Sequence, residues 1–272
     1  MTLAADTRRA RRERRRGQAT VGGRSTASSG QVRADGRVAP PTEIAPNVFE
    51  ILLRRVRVHL IAEQALTLID AGLPGSSGAI DRAIRAIGRE PSEIRRVICT
   101  HGHFDHAGGA AELAARDGVD VLMHSADLAI LPTTLVDVAR RPGRRLFVAL
   151  TPRLDGATPL DDGFELPILG GLRVVHVPGH TPGSICLYAP ESGLLFVGDA
   201  LQARLGRVGF ASRLYSDDWN MARASVQRMA RLDVHTIVFS HYPPRGDDAN
   251  GTLRRLAAEA EVAEAGMREG TR

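Results

Sequence analysis

The 272-residue chain contains no lysine: all 36 of its basic residues are arginine. It holds two cysteines, Cys99 and Cys186, and no apolar run near the roughly 18 residues that a membrane-spanning helix requires. Each scarcity excludes something. Two cysteines in separate apolar stretches, neither at a ligand spacing from another, rule out a disulfide framework and a cysteine-based metal knot. They are expected to be core thiols of a reducing compartment. No membrane span is predicted. No apolar segment follows the charged N-terminus, so a secretory signal is not expected and a cytoplasmic location is. The exclusive use of arginine reflects genome composition rather than function.

The net charge of +5 is unevenly spread. Residues 1–37 carry ten arginines against Asp6, Glu13 and Asp35, a net of +7, which leaves −2 for the rest out of the total of +5. Residues 1–40 are rich in Arg, Gly, Ser and Ala without apolar periodicity, the composition of a disordered tail. Residues 41–272 form the expected folded domain, long enough to bury a sizeable core. That domain is slightly acidic and offers no basic face, so a nucleic-acid partner is not expected. Hydrophobic residues at 43% and a mean hydropathy of −0.13 fit a globular protein.

Apolar patterning predicts strands at 48–53, 56–61, 66–69, 97–99 and 119–123, and again at 172–177, 184–188, 194–197 and 236–239. Helices are expected at about 76–89, 107–116, 125–131, 217–231 and 253–267, with Ser76 or Ser77, Ser125 and Ser216 as candidate caps. Residues 132–160, broken by prolines and carrying Arg140, Arg141, Arg144 and Arg145, read as a connecting or substrate-covering segment. The two halves repeat each other. Leu66-Thr67-Leu68-Ile69-Asp70 matches Leu195-Phe196-Val197-Gly198-Asp199, and Val97-Ile98-Cys99-Thr100-His101 matches Ile237-Val238-Phe239-Ser240-His241. Such a duplication predicts two sheets packed face to face with helices outside, and strand-end Asp and His residues meeting at one edge.

The densest chemistry lies at 99–109, Cys-Thr-His-Gly-His-Phe-Asp-His-Ala-Gly-Gly. His101, His103, Asp105 and His106 share six positions on a strand-to-helix connection. Neutral imidazoles and carboxylates this close are the ligands of zinc and similar divalent ions. His180 on a Gly/Pro-fixed loop, Asp199 at a strand end and His241 after the last strand complete a set of five imidazoles and two carboxylates. His59, His124, His176 and His235 lack ligand spacing and are expected to be structural.

Thr100-His101-Gly102-His103-Phe104-Asp105-His106 resembles the T-H-x-H-x-D-H signature of the metallo-β-lactamase superfamily, and the resemblance extends over most of 45–245 through Asp70, His180, Asp199 and His241. It implies an α/β fold, a four-layer αββα sandwich. It further implies two Zn²⁺ per chain, or Fe or Mn in their place. His101, His103 and His180 would hold the first ion; Asp105, His106 and His241 the second; Asp199 would bridge them, and Asp70 would orient a ligand histidine. The implied chemistry is hydrolysis of an acyl bond of a small molecule (lactone, ester or thioester) by a metal-bridging hydroxide, with Asp105 as the catalytic residue that orients it and passes a proton to the leaving group.

Departures narrow the branch. Asp199 stands where true metallo-β-lactamases carry Cys or Ser. Only 31 residues follow His241, shorter than the C-terminal extension of glyoxalase II-like thioesterases. His103 stands where flavodiiron proteins carry Glu. The 104–109 and 178–183 segments resemble small hydrolases and lactonases, yet Gln202 replaces the Tyr that quorum-quenching lactonases place three residues after the bridging Asp; Tyr215 and Tyr242 are candidates for an equivalent hydroxyl. A phosphodiesterase acting on nucleic acid and a mononuclear iron, persulfide-dioxygenase-like enzyme are the alternatives. Oligomeric state is not encoded in any motif of the chain.

Overall fold

A computed structural model describes residues 39–131 and 150–269. The Arg-rich stretch and most of the 132–160 segment lie outside the described residues.

The first half builds a seven-stranded sheet in the order β1 (Thr42–Ala45), β2 (Val48–Leu53), β3 (Val56–Ala62), β4 (Leu66–Ile69), β5 (Ile94–Cys99), β6 (Asp120–His124) and β7 (Thr158–Leu160). The β1–β4 strands run antiparallel through tight turns. A helix, α1 (Ser77–Ala86), then crosses over so that β5 pairs parallel with β4. The second sheet has the order β14 (Thr236–Val238), β11 (Leu194–Phe196), β10 (Ile185–Ala189), β9 (Leu172–His176) and β8 (Glu165–Leu166). Here β10 and β11 are antiparallel, and β14 joins β11 in parallel after a helical crossover, α5 (Trp219–Ala224) and α6 (Val226–Met229). The β3–β4–α1–β5 and β10–β11–α5–α6–β14 units are thus the same topology twice, as the repeated sequence implied.

Strand alternation decides which face each residue buries. Ile61, Ile69, Ile98 and Leu122 of the first sheet meet Leu187, Phe196, Val174 and Val238 of the second in one apolar layer. On the outer face of the first sheet Leu60, Leu68 and Val97 pack on Ile80 and Ile84 of α1 and on Leu113 of α3 (Ala110–Ala114). On the outer face of the second, Cys186, Leu195 and Ile237 pack on Val226 and Met229 of α6 and on Leu253 and Leu256 of α7 (Ala249–Glu269). The layers are therefore α, β, β, α. Both cysteines are free and buried.

Several local expectations are refined. The helix expected from residue 107 begins at Phe104 as a one-turn α2 (Phe104–Ala107), with His103 at its N-cap. The helix expected over 217–231 is two pieces that meet at Ser225, whose backbone stays helical and whose Oγ donates to the Pro178 carbonyl at 2.8 Å. Its cap is Asp218, which accepts from Met221 N–H, rather than Ser216. Ser216 donates instead to the Ser212 carbonyl. Ser76 occupies the α1 cap position without a side-chain cap bond, and Ser77 Oγ donates to Glu112.

The strands without a sequence counterpart are β1, β7, which ends the 132–160 segment read as a connection, β8 and a separate hairpin, β12 (Leu201–Arg204) with β13 (Arg207–Phe210). The hairpin turns through Leu205 and Gly206, both at positive φ, of +50° and +78°. Such a turn normally advertises itself with Asn-Gly or Asp-Gly, and leucine at its first position hides the signal.

Candidate metal centre

Parallel pairing makes β4 and β5 finish together in one sheet and β11 and β14 in the other, and the Ser240 Oγ–Asp70 Oδ2 bond at 3.2 Å brings the two sets to one edge of the sandwich. Asp70 follows β4, Thr100-His101 follow β5, Asp199 follows β11 and Ser240-His241 follow β14. The 99–109 turn is pinned by backbone. Ala71 N–H donates to the His106 carbonyl at 2.7 Å, and Gly109 N–H to the Gly72 carbonyl at 3.0 Å. A Cβ on Gly109 would sit 2.4 Å from the Ala71 carbonyl oxygen, so only glycine permits this close approach. The His180 loop is clasped by the α5 entry, where Asp217 and Asp218 N–H groups donate to the His180 and Gly179 carbonyls.

All seven sequence-selected residues converge. Their potential ligand atoms form three groups: His101, His103 and His180; His101, His106 and Asp199; Asp105, His106 and His241. In the first, His103 Nδ1 lies 3.0 Å from His101 Nε2 and 3.1 Å from His180 Nε2. In the last, His241 Nε2 lies 3.3 Å from His106 Nε2 and 3.4 Å from Asp105 Oδ2. Asp199 stands between: Oδ2 faces His180 Nε2 at 3.5 Å, while Oδ1 faces His106 and His241 Nε2 at 3.5 and 3.3 Å.

The opposite ring nitrogens explain why these lone pairs point inward. His241 Nδ1 lies 2.9 Å from the Arg55 carbonyl, which only accepts, so Nδ1 carries the proton. His106 Nδ1 donates to Asp70 Oδ2 at 2.8 Å. His101 Nδ1 meets Thr100 Oγ1 at 3.1 Å, and that hydroxyl donates to Asp70. His180 Nδ1 meets Ser216 Oγ at 3.4 Å, whose own proton is spent on Ser212. Four imidazoles therefore present Nε2 to the centre and His103 presents Nδ1.

Charge divides the cluster in two. Burial, reinforced by neighbouring imidazoles, holds His101 well below the ordinary histidine range and His103 at about 3; burial likewise holds His180 at about 4, with Asp199 pulling against it. His106 and His241 behave oppositely. Burial would lower them, but the Asp199 and Asp105 carboxylates, joined at His106 by Asp70, drive His106 well up and His241 to about 10. Burial pushes Asp105 up, yet His106 and His241 hold it at about 2. Three neutral imidazoles thus adjoin a carboxylate-rich pocket that favours positive charge, carried by protons on His106 and His241 or by a cation that displaces them from Nε2.

A tetrahedral ion with bonds of roughly 2.0–2.1 Å needs ligand atoms about 3.3–3.4 Å apart. The separations of 3.0–3.5 Å quoted above bracket that edge. Donor type, tautomer and spacing all fit divalent cations.

Among known proteins, the family described as the metallo-beta-lactamase superfamily matches residues 53–241. The chain belongs to that superfamily. The probable metallo-hydrolase YflN of Bacillus subtilis is 26% identical over 79% of this chain and 91% of its own. A hydroxyacylglutathione hydrolase of Acidiphilium cryptum is 29% identical over 75% of this chain and 78% of its own. A metallo-beta-lactamase family protein of Thermus thermophilus has the same fold, with a TM-score of 0.63 at 22% identity over 81% of each chain. The superfamily and these hydrolases imply a hydrolase with a metal cofactor. Among the described residues no helix is long and apolar enough to cross a membrane.

Sequence reasoning passed over Asp127 and, Gln202 apart, the hairpin wall of the cleft. Asp127, wholly buried in α4 (Ser125–Leu128), joins the loops of His101–His103 and His180. Its only sequence signal was an acidic residue in a short apolar helix, which is commonplace. The β12–β13 hairpin supplies Leu201, Gln202 and Arg204 to a cleft of about 450 Å³ that opens onto the cluster. Tyr215 and Tyr242, the two candidate hydroxyls, also line it. His59, His124 and His176 lie outside the cluster: His59 packs edge-on against Phe196, and His124 stacks on His176.

Proposed function

We propose that this chain hydrolyses an acyl bond (ester, lactone or thioester) of a small molecule carrying an anionic group, with two divalent cations, zinc by preference. The observation that carries this reading is Asp199, whose two carboxylate oxygens face the two donor groups separately. His101, His103 and His180 would hold one cation, Asp105, His106 and His241 the other. Bound there, the cations supply a water nucleophile at neutral pH and polarise the acyl oxygen.

The protein's own residues do the rest. Asp105, at the cleft floor and ionised, accepts the proton from attacking water on a carboxylate oxygen and returns it to the leaving group. Asp70 and the Arg55 carbonyl keep His106 and His241 in one tautomer. The cleft, lined by Arg55, Leu201, Gln202, Arg204 and Tyr215, receives the substrate. Among the described residues neither arginine is paired with a carboxylate, so both charges remain for the substrate. The relatives named hydroxyacylglutathione hydrolases support a thioester as the first substrate to try.

The test is metal analysis of purified protein joined to a screen of lactones, thioesters and phosphodiesters. Two zinc ions per chain with acyl turnover support the proposal. One iron per chain favours an oxygenase, and phosphodiester turnover a nuclease; either result overturns it. Arg204→Gln and Arg55→Gln should each raise KM about five- to ten-fold for a carboxylate-bearing ester, with kcat and the KM of its neutral counterpart little changed. Equal KM effects on the charged and neutral esters would remove the anionic subsite.

A further inference from the structure

One fully buried carboxylate takes no part in the chemistry above. Asp127 Oδ2 accepts from Gly102 N–H at 2.6 Å and from Thr181 Oγ1 at 2.7 Å, and Oδ1 accepts from Gly183 N–H at 2.6 Å. Gly102 lies between His101 and His103. Thr181 and Gly183 lie one and three residues after His180. The two loops leave different sheets, from β5 and β9. A single side chain therefore spans the gap between the loops that supply the three imidazoles of the first donor group.

We propose that Asp127 is a positioning residue that sets the His101–His103 loop against the His180 loop, and so fixes the affinity and geometry of the first cation site. This rests on the reading that these three histidines hold a divalent cation.

Two features make Asp127 more than a buried polar side chain. First, Gly102 N–H and Gly183 N–H are obligate donors approaching opposite oxygens. Only a group with acceptors at both ends satisfies them together. An amide of the same shape must turn its NH₂ toward one of them, and that loop loses its anchor. Second, the loops are built to come close. A Cβ on Gly183 would lie 2.5 Å from Asp127 N and 2.7 Å from its Cβ and Cγ, and one on Gly102 would sit 3.4 Å from Oδ2. The backbone bond from Ile185 N–H to the Thr100 carbonyl, at 2.9 Å, ties the sheets together independently. Removing the carboxylate should therefore loosen the two loops without separating the layers.

The experiment loads full-length protein with Co²⁺ and reads affinity and visible absorption, using Asp127→Asn and the milder Thr181→Val, which deletes one of the three donors at nearly constant volume. The expected result for Asp127→Asn is wild-type far-ultraviolet circular dichroism, unchanged Co²⁺ uptake at the Asp105–His106–His241 group, and a ten- to hundred-fold weaker first site with an altered absorption envelope. Thr181→Val should move both readouts in the same direction by less, and it carries the test if Asp127→Asn does not fold. Wild-type Co²⁺ affinity and spectrum in whichever variant folds, with only a lower Tm, would assign Asp127 a purely structural role and overturn the proposal. A wild-type Co²⁺ signal insensitive to His180→Ala would instead overturn the cation-site reading, and the positioning role with it.

Discussion

Asp105→Asn, fully loaded with metal, turns over its substrate about 10²–10⁴ times more slowly than the native protein while keeping its fold. Asp105 is a half-buried side chain at the cleft floor, its Oδ2 3.4 Å from His241 Nε2 and 3.8 Å from His106 Nε2. Asparagine preserves its shape and one acceptor oxygen, so packing is untouched. What disappears is the ionised oxygen that can take and release a proton. Steady-state kinetics beside metal analysis separate the two contributions. Low turnover with full metal isolates proton transfer, low turnover with depleted metal isolates ligation, and near-native turnover with full metal would remove Asp105 from the mechanism.

Asp70→Ala has the largest expected effect on stability, a loss of about 3–5 kcal/mol. Asp70 is completely buried at positive φ and gathers four donors: Thr100 N–H and Thr100 Oγ1 at 2.8 and 2.9 Å, His106 Nδ1 at 2.8 Å and Ser240 Oγ at 3.2 Å. Those donors come from the ends of β5 and β14 and from α2, so one carboxylate ties both sheets to the 99–109 turn. Alanine leaves all four buried and unsatisfied. Asp70→Asn should cost less stability but act on chemistry. If its oxygen stays with Thr100, its NH₂ faces His106 Nδ1, which must then accept, and the ring proton moves to Nε2 where a cation belongs. Urea unfolding of the alanine variant and zinc content of the asparagine variant check the pair. Unchanged stability in Asp70→Ala would contradict the role of this side chain as a joint.

Much of this was legible before any coordinates. Strands β2 and β4 begin and end where their apolar runs do, at Val48–Leu53 and Leu66–Ile69, because both are short buried strands flanked by turn residues. The repeated Leu-x-x-x-Asp and x-x-x-Thr/Ser-His endings foretold a duplicated strand–helix–strand topology. Helix ends were less legible. The sequence offered Ser216 as a cap and structure chose Asp218, since Ser216 had a better partner in Ser212.

The sequence by itself determined which side chains could ligate a cation, because imidazole and carboxylate chemistry is local and the 101–106 spacing leaves little freedom. It also determined the layered fold, because strand alternation and helix periodicity dictate which faces must be buried. Only the tertiary structure decided which nitrogen of each histidine faces inward, since that depends on acceptors such as the Arg55 carbonyl and the Asp70 carboxylate, 186 and 36 residues away from their partners. Only it revealed Asp127 as the joint between two loops 25 and 56 residues distant, and the β12–β13 hairpin as a wall of the cleft. Those roles arise from contacts between segments that no local pattern links.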